Sequence, residues 1–177
     1  MIPARSFCLI RHGETTANAG AIIAGATDVP LTPRGRDQAR ALAGREWPSG
    51  IALFASPMSR ARDTALLAFP GRDHQPEPDL RERDWGIFEG RPVADLPPRE
   101  ITPQGGEGWD DVLARVDRAI RRICATSGDA LPVLVCHSGV IRAARVLWTT
   151  GDAGDRPPNA TPILFSPDGD RLKEGTI

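Results

Sequence analysis

Two apolar runs in this chain each end in a histidine. Phe7–Ile10 breaks into Arg11-His12-Gly13, and Pro132–Cys136 breaks into His137-Ser138-Gly139. Short apolar runs cut off by polar residues read as buried strands. In open α/β sheets, ligands bind beyond the carboxyl ends of the strands, so both imidazoles are expected to face one crevice. A third run, Ile51–Ala55, feeds Ser56-Pro57-Met58-Ser59-Arg60, which sets Arg60 early in the next helix on the same side of the sheet. Arg11 sits beside His12. Two arginines and two histidines meeting at a crevice rimmed by helix starts describe an anion pocket. Guanidinium forks match phosphate oxygens, and helix N-termini add partial positive charge. Each feature alone is weak: an Arg-His pair arises by chance, and Arg60 by itself reads equally well as a surface ion pair of little worth. The remaining histidine, His74, lies in a loop and reads as solvated.

The elements that must hold these residues are legible in outline. Thr32 is a fit N-cap and Pro33 suits the first helical position, so a helix is expected from there through Ala39 and Leu42 to about Arg45. A second helix follows from about Ser59, with Ala61, Ala65 and Leu66 on its inner face. Trp109–Ile123 is the clearest helix: Val112, Val116, Ala119, Ile120 and Ile123 recur at helical spacing. Val140 through Trp148 reads as another helix. Thr161–Phe165 and Arg171–Lys173, joined by Pro167-Asp168-Gly169, read as a terminal hairpin. Pro70–Pro78 and Pro92–Gly108 are loops rich in proline, charge and glycine. Strands alternate with helices, which predicts the α/β class with a mostly parallel sheet.

Composition sets bounds on partners. The chain has 177 residues, of which 40% are hydrophobic, and a net charge of −1. That is one domain's length with enough apolar residues for a core. Without a basic face, nucleic acid is not the expected partner. No apolar run is long enough for a signal peptide or a membrane span, so a cytoplasmic protein without a membrane partner is expected. Lys173 is the sole lysine, so any anion clamp must be built from guanidinium groups. Cys8, Cys124 and Cys136 show no metal or disulfide spacing and read as small buried hydrophobes.

Leu9-Ile10-Arg11-His12-Gly13-Glu14-Thr15 resembles the signature of the histidine phosphatase superfamily, the phosphoglycerate mutase-like family. The likeness extends through nearly the whole chain. Asn18 sits where the family has an asparagine. Gly25-Ala26-Thr27-Asp28-Val29-Pro30-Leu31-Thr32 resembles the next block, and Ser56-Pro57-Met58-Ser59-Arg60-Ala61-Arg62-Asp63-Thr64-Ala65 the one carrying the second arginine. Leu80-Arg81-Glu82-Arg83-Asp84-Trp85-Gly86 resembles the block carrying the acid, and Gly105-Gly106-Glu107 and Val135–Gly139 complete the order.

The resemblance implies a three-layer α/β/α sandwich over residues 1–177, with a short cap from about 87 to 104. It implies a phosphomonoester hydrolase acting on a small phosphorylated metabolite. His12 would be the nucleophile, forming a phosphohistidine. Arg11, Arg60 and His137 would hold the phosphoryl oxygens, and Glu82 would serve as acid and then base. Asn18 and backbone near Gly25 and Ser138 would touch the phosphoryl group. No metal or other cofactor is implied. Without the family, Glu82 lies in a charged run that would read as a solvated turn. Glu14, Glu89 and Glu107 are not read as catalytic: Glu14 would orient local backbone, and Glu107 would help start the helix at Trp109. Trp85, Phe88 and Trp109 read as core or pocket wall.

Two alternatives remain. The family's mutases carry a long insertion between the acid block and Gly-Gly-Glu, where this chain has only Ile87–Gln104. A short cap lets water reach the phosphohistidine and so favours hydrolysis over phosphoglycerate mutase-type transfer. A non-catalytic phosphate-binding module is the second alternative, opposed by the presence of every catalytic side chain. Gly13–Asn18 and Gly106-Glu107-Gly108 look somewhat like α-ribazole phosphatases, although Ala17 and Gly108 depart from that pattern. The expected partner is a small phosphate ester, with a homodimer left open.

Overall fold

The computed structural model describes all residues, Met1–Ile177. A six-stranded sheet runs through its centre. The strands are β1 (Phe7–Arg11), β2 (Ile51–Ala55), β3 (Gln75–Pro76), β4 (Leu131–Cys136), β5 (Pro162–Asp168) and β6 (Arg171–Gly175). Their spatial order is β3-β2-β4-β1-β5-β6. The first four pair in parallel, and β5 and β6 add an antiparallel edge. The helices are α1 (Thr16–Ala19), α2 (Pro33–Ala43), α3 (Ser59–Ala68), α4 (Trp109–Thr126) and α5 (Ser138–Trp148). None is long and apolar enough to cross a membrane.

Side chains alternate across the sheet with a period of two, and this sorts the core into two halves. Phe7, Leu9, Phe54, Leu134 and Cys136 pack under α4 and α5, against Val116, Ile120, Val140 and Ile141. Cys8, Ile10, Leu53, Ala55, Val133 and Val135 pack under α2 and α3, against Leu42, Ala61 and Ala65. The architecture is therefore the expected three-layer α/β/α sandwich.

The same alternation positions the histidines. Ile10 is in register with Val135, and Arg11 with Cys136. The ladder continues one residue further, where His12 N–H donates to the Cys136 carbonyl at 3.0 Å. His12 and His137 thus follow Ile10 and Val135 as the next in-register pair, on the α2/α3 face.

Element ends differ from expectation where local chemistry intervenes. Thr32 caps α2 as expected, accepting the Gly35 N–H at 3.0 Å, but the helix stops at Ala43 before Gly44. Helix α4 runs to Thr126, beyond the last strongly apolar position at Ile123. Helix α5 starts at Ser138, with His137 as its N-cap, so the chain turns from strand to helix directly at the histidine. Two short elements escaped the sequence patterns: α1, whose Thr15–Asn18 capping box lacks an apolar run, and the edge strand β3 within the Pro70–Pro78 loop. Cys8, Cys124 and Cys136 are buried and unpaired, as expected.

Candidate active site

His12 and His137 lie side by side at the carboxyl ends of β1 and β4, ring centroids 5.2 Å apart. His12 Nδ1 sits 2.7 Å from the Gly13 carbonyl. A carbonyl only accepts, so Nδ1 carries the proton and Nε2 keeps its lone pair. Burial pushes the His12 pKa well below the ordinary imidazole value, and Arg60 and Arg11 add to this against the opposing Gly13 hydrogen bond. The ring is therefore neutral at neutral pH.

His137 is fully buried. Its Nδ1 accepts from Arg60 Nε at 3.3 Å, and its Nε2 lies 2.8 Å from Ser56 Oγ. The proton accordingly sits on Nε2, facing the serine. Burial first, then Arg60 and His12, hold its pKa far below the usual range.

Arg60 is 1% exposed, which removes the surface ion-pair reading. Its Nη edge is braced by carbonyls: Nη1 donates to Thr27 at 2.9 Å, and Nη2 to Gly25 at 2.8 Å and Ala24 at 3.3 Å. Its Nε edge faces the histidines. Arg11 Nη1 donates to the Pro157 carbonyl at 2.8 Å, while its buried Nε has no partner. Burial, with repulsion from Arg156, lowers the Arg11 pKa to about 10, so it stays charged at neutral pH.

Glu82 comes from the loop after Leu80 and lies across the first turn of α5. The Gly139 N–H reaches both its oxygens, at 3.1 and 3.0 Å, and the Arg83 N–H donates to Oε1 at 2.9 Å. A Cβ at Gly139 would fall 2.1 Å from Glu82 Oε1, so this approach requires glycine. The charged run around Glu82 is no solvated turn. Arg115 Nη1 holds the Asp79 and Arg81 carbonyls, each at 2.7 Å. Arg83 is wholly buried, stacks 4.4 Å from the Trp85 ring centroid, and donates to the carbonyls of Glu107, Arg99 and Ile101.

Asn18 Oδ1 accepts from Thr15 N–H and from Asn159 Nδ2, both at 3.2 Å. Its carbonyl oxygen is thereby fixed, and its Nδ2 is the group left to donate. Asn18, Glu82 and Ser138 line a cleft of about 260 Å³, together with Ile22, Val93, Leu96, Arg99, Arg142 and Arg156 among others. Segment 87–104 supplies Val93, Leu96 and Arg99 to that wall. Trp85 also lines it, whereas Trp109 belongs to the core cluster.

Gly25 stands one step behind the cleft. Its N–H is bonded to Glu89, at 3.0 Å to each oxygen, and its carbonyl to Arg60. Glu89 also takes the N–H groups of Ala26, Thr27 and Trp85, so it ties the loop that braces Arg60 to the loop that carries Glu82. Burial pushes the Glu89 carboxyl up, but these bonds and the Thr27 hydroxyl leave it below the usual range. Glu107 corrects its sequence reading. It does not cap α4, whose N-cap Gly108 makes no side-chain bond; it receives Arg115 Nε and Nη2 at 2.7 and 2.9 Å. Glu14, as expected, organises nearby chain, accepting the Thr32 hydroxyl at 2.9 Å.

The sequence reading missed Ser56, Asn159, Arg99, Arg142 and Arg156. Ser56 had a usable signal, the strand-end position it shares with the histidines. The others lie in loops or a helix turn that only the fold brings to the cleft.

Known proteins resemble this chain closely. The profile of the histidine phosphatase superfamily (branch 1) matches residues 7–160. An adenosylcobalamin/alpha-ribazole phosphatase of Salmonella typhimurium is 35% identical over 150 residues, covering 75% of this chain and 74% of that protein. The Enterobacter protein named "Probable phosphoglycerate mutase GpmB" is 35% identical over 145 residues, covering 73% and 67%. The structure of a mycobacterial glucosyl-3-phosphoglycerate phosphatase in complex with VO3 superposes with a TM-score of 0.83 at 30% identity, covering 98% of this chain and 96% of that one.

Proposed function

This chain belongs to the histidine phosphatase superfamily, and from that premise we propose that it is a metal-independent phosphomonoester hydrolase working through phospho-His12. One observation carries the reading: a buried, neutral imidazole whose Nδ1–H is tied to Gly13, beside a second histidine and the guanidinium groups of Arg11 and Arg60.

His12 Nε2 attacks phosphorus as the ester oxygen leaves, so a P–N bond forms while a P–O bond breaks. Glu82, protonated, gives its proton to the leaving oxygen. Arg11 and Arg60 neutralise the charge that spreads over the phosphoryl oxygens, and Asn18 Nδ2 donates from the wall. His137 joins them with its proton moved to Nδ1. Ser56 can serve either tautomer, because a hydroxyl both accepts and donates. Glu82, now ionised, then takes a proton from water, whose oxygen attacks the phosphohistidine and frees His12.

Residues 87–104 act as a short cap over a single catalytic domain. The likeness to a protein named as a mutase favours a second reading, phosphoryl transfer between phosphoglycerate positions. The short cap opposes it, since less chain stands between water and phospho-His12 than a long insertion would place there.

The test is phosphate release from p-nitrophenyl phosphate in excess chelator, with His12→Ala alongside. Release that survives chelation and is lost in the variant supports the reading. Interconversion of phosphoglycerates, with a bisphosphate primer and little phosphate released, would replace it with the mutase reading.

A further inference from the structure

We propose that Gln38 is a positioning residue for the nucleophile: through the peptide between Gly13 and Glu14, it holds the His12 proton on Nδ1. This rests on the phosphatase reading and adds to it a side chain outside the cleft.

The backbone after β1 is held peptide by peptide. The His12–Gly13 peptide is bonded at both ends: its carbonyl accepts from Asn159 Nδ2 at 2.8 Å, and its N–H donates to Thr64 Oγ1 at 3.0 Å. The Glu14–Thr15 peptide is likewise bonded at both ends. Its carbonyl accepts the Thr32 N–H at 2.9 Å, and its N–H donates to Asn18 Oδ1 at 3.2 Å. Between them lies the Gly13–Glu14 peptide. Its carbonyl accepts from His12 Nδ1 at 2.7 Å, and its N–H donates to Gln38 Oε1 at 2.8 Å. A trans peptide is planar and points its C=O and N–H in opposite directions, so fixing the N–H fixes the carbonyl. Gly13 has no Cβ to restrict rotation of that peptide, and Gln38 is the one side chain besides the imidazole that bonds it.

Helix α2 is brought close enough to make this bond. A Cβ at Gly35 would lie 2.0 Å from the Glu14 carbonyl oxygen and 2.7 Å from the Glu14 nitrogen, so the approach requires glycine. Gln38 is three residues further on and shares that helix face, which puts its amide within reach of the Glu14 N–H.

The bond gains importance as the reaction proceeds. Attack by Nε2 puts positive charge on the ring, and the Nδ1–H bond to Gly13 becomes charge-assisted. A peptide whose N–H is already bonded offers a more polarised carbonyl. Gln38 therefore stabilises the charged ring more than the neutral one, and an interaction that strengthens toward the transition state raises the rate. Without Gln38 the Glu14 N–H lacks its acceptor and the carbonyl is released to turn from the ring. A proton that then moves to Nε2 removes the lone pair that attacks.

Nitrogen-15 spectra of histidine-labelled protein test this in the resting state. The chain has three histidines, and His12→Ala identifies the His12 signals. Wild-type His12 should be protonated on Nδ1 alone. In Gln38→Leu, which has no acceptor, and Gln38→Asn, one methylene short, the two ring shifts should draw together as Nε2–H appears. Gln38→Glu keeps an acceptor oxygen at the same reach and should restore the wild-type spectrum. Leucine and glutamate are close to glutamine in helix propensity, so α2 itself is left unperturbed. In parallel, kcat/KM should fall by about tenfold in Gln38→Leu and Gln38→Asn, the worth of one hydrogen bond to a charged group. It should stay within about threefold of wild type in Gln38→Glu. The loss should be equal for phenyl and p-nitrophenyl phosphate, because Gln38 acts on the attacking nitrogen and not on the leaving oxygen. Gln38→Asn keeps a polar side chain and decides the matter if Gln38→Leu shows no cooperative melting transition. A wild-type ring protonated on Nε2, ring shifts or kcat/KM unchanged in the folded variants, or a loss that Gln38→Glu shares would overturn the proposal. If the wild-type protein does not turn over even p-nitrophenyl phosphate, the phosphatase reading fails by itself, and the ring spectra then decide the role of Gln38 by the same comparison.

Discussion

Replacing Gly139 by alanine isolates the geometry of the acid. The added Cβ would lie 2.1 Å from Glu82 Oε1 and 3.2 Å from its Cδ. Carbon and oxygen in ordinary contact are roughly 3.3 Å apart, so the carboxylate must retreat by about 1 Å. A displacement of that size at a reacting group costs about a hundredfold in rate. Stability should not collapse, because alanine is favoured over glycine in a helix by about 1 kcal/mol and Gly139 lies in the first turn of α5. The assay is kcat/KM across aryl phosphates of graded leaving-group basicity, since this constant reports the attack of His12 and loss of the alcohol. Phenyl phosphate needs a proton on its leaving oxygen and should lose about a hundredfold. p-Nitrophenyl phosphate, whose phenolate leaves unaided, should lose far less. Glu82→Gln should give the same graded pattern. An equal loss for every ester, or none for phenyl phosphate, would refute the placement of Glu82 as the acid.

Two further outcomes follow from the buried imidazoles. Both histidines have folded-state pKa values well below the ordinary 6.5, so on acidification the unfolded chain takes up protons that the folded one refuses. Stability is then complete above pH of about 6.5 and falls below it, by up to about 1.4 kcal/mol per pH unit for each histidine; urea unfolding between pH 7.5 and 5.5 should show this slope, and a flat profile would contradict their burial as neutral rings. Ser56→Ala leaves His137 Nε2–H unpaired in the interior and should cost about 1–3 kcal/mol in the same unfolding assay, with kcat/KM lowered as His137 loses its tautomer partner; unchanged stability and rate would remove Ser56 from the account.

The parts legible in sequence are those in which local pattern determines position. Apolar alternation through Cys8-Leu9-Ile10 and Val133-Leu134-Val135 carries His12 and His137 to the same face, because parallel register does the rest. Arg60 followed from a strand end and a helix start. Glu82 did not: a charged run carries no burial pattern, its loop is held by the distant Arg115 and the buried Arg83, and only family likeness singles it out. Glu107 was misread for a related reason, since its partner Arg115 is eight residues on, two helical turns into α4. Arg99, Arg142 and Arg156 carry no local signal. Their convergence depends on how the 87–104 segment and the loop before β5 close over α5, which is long-range packing with no periodicity in the chain.

Trapping of the phosphoenzyme during turnover with an alkaline denaturing quench tests the central claim most directly. With phosphate-labelled ester, label should appear on the protein within one turnover as an acid-labile, alkali-stable adduct, map to His12, and be absent from His12→Ala. Turnover without any labelled protein, or label on another side chain that persists in His12→Ala, would contradict it.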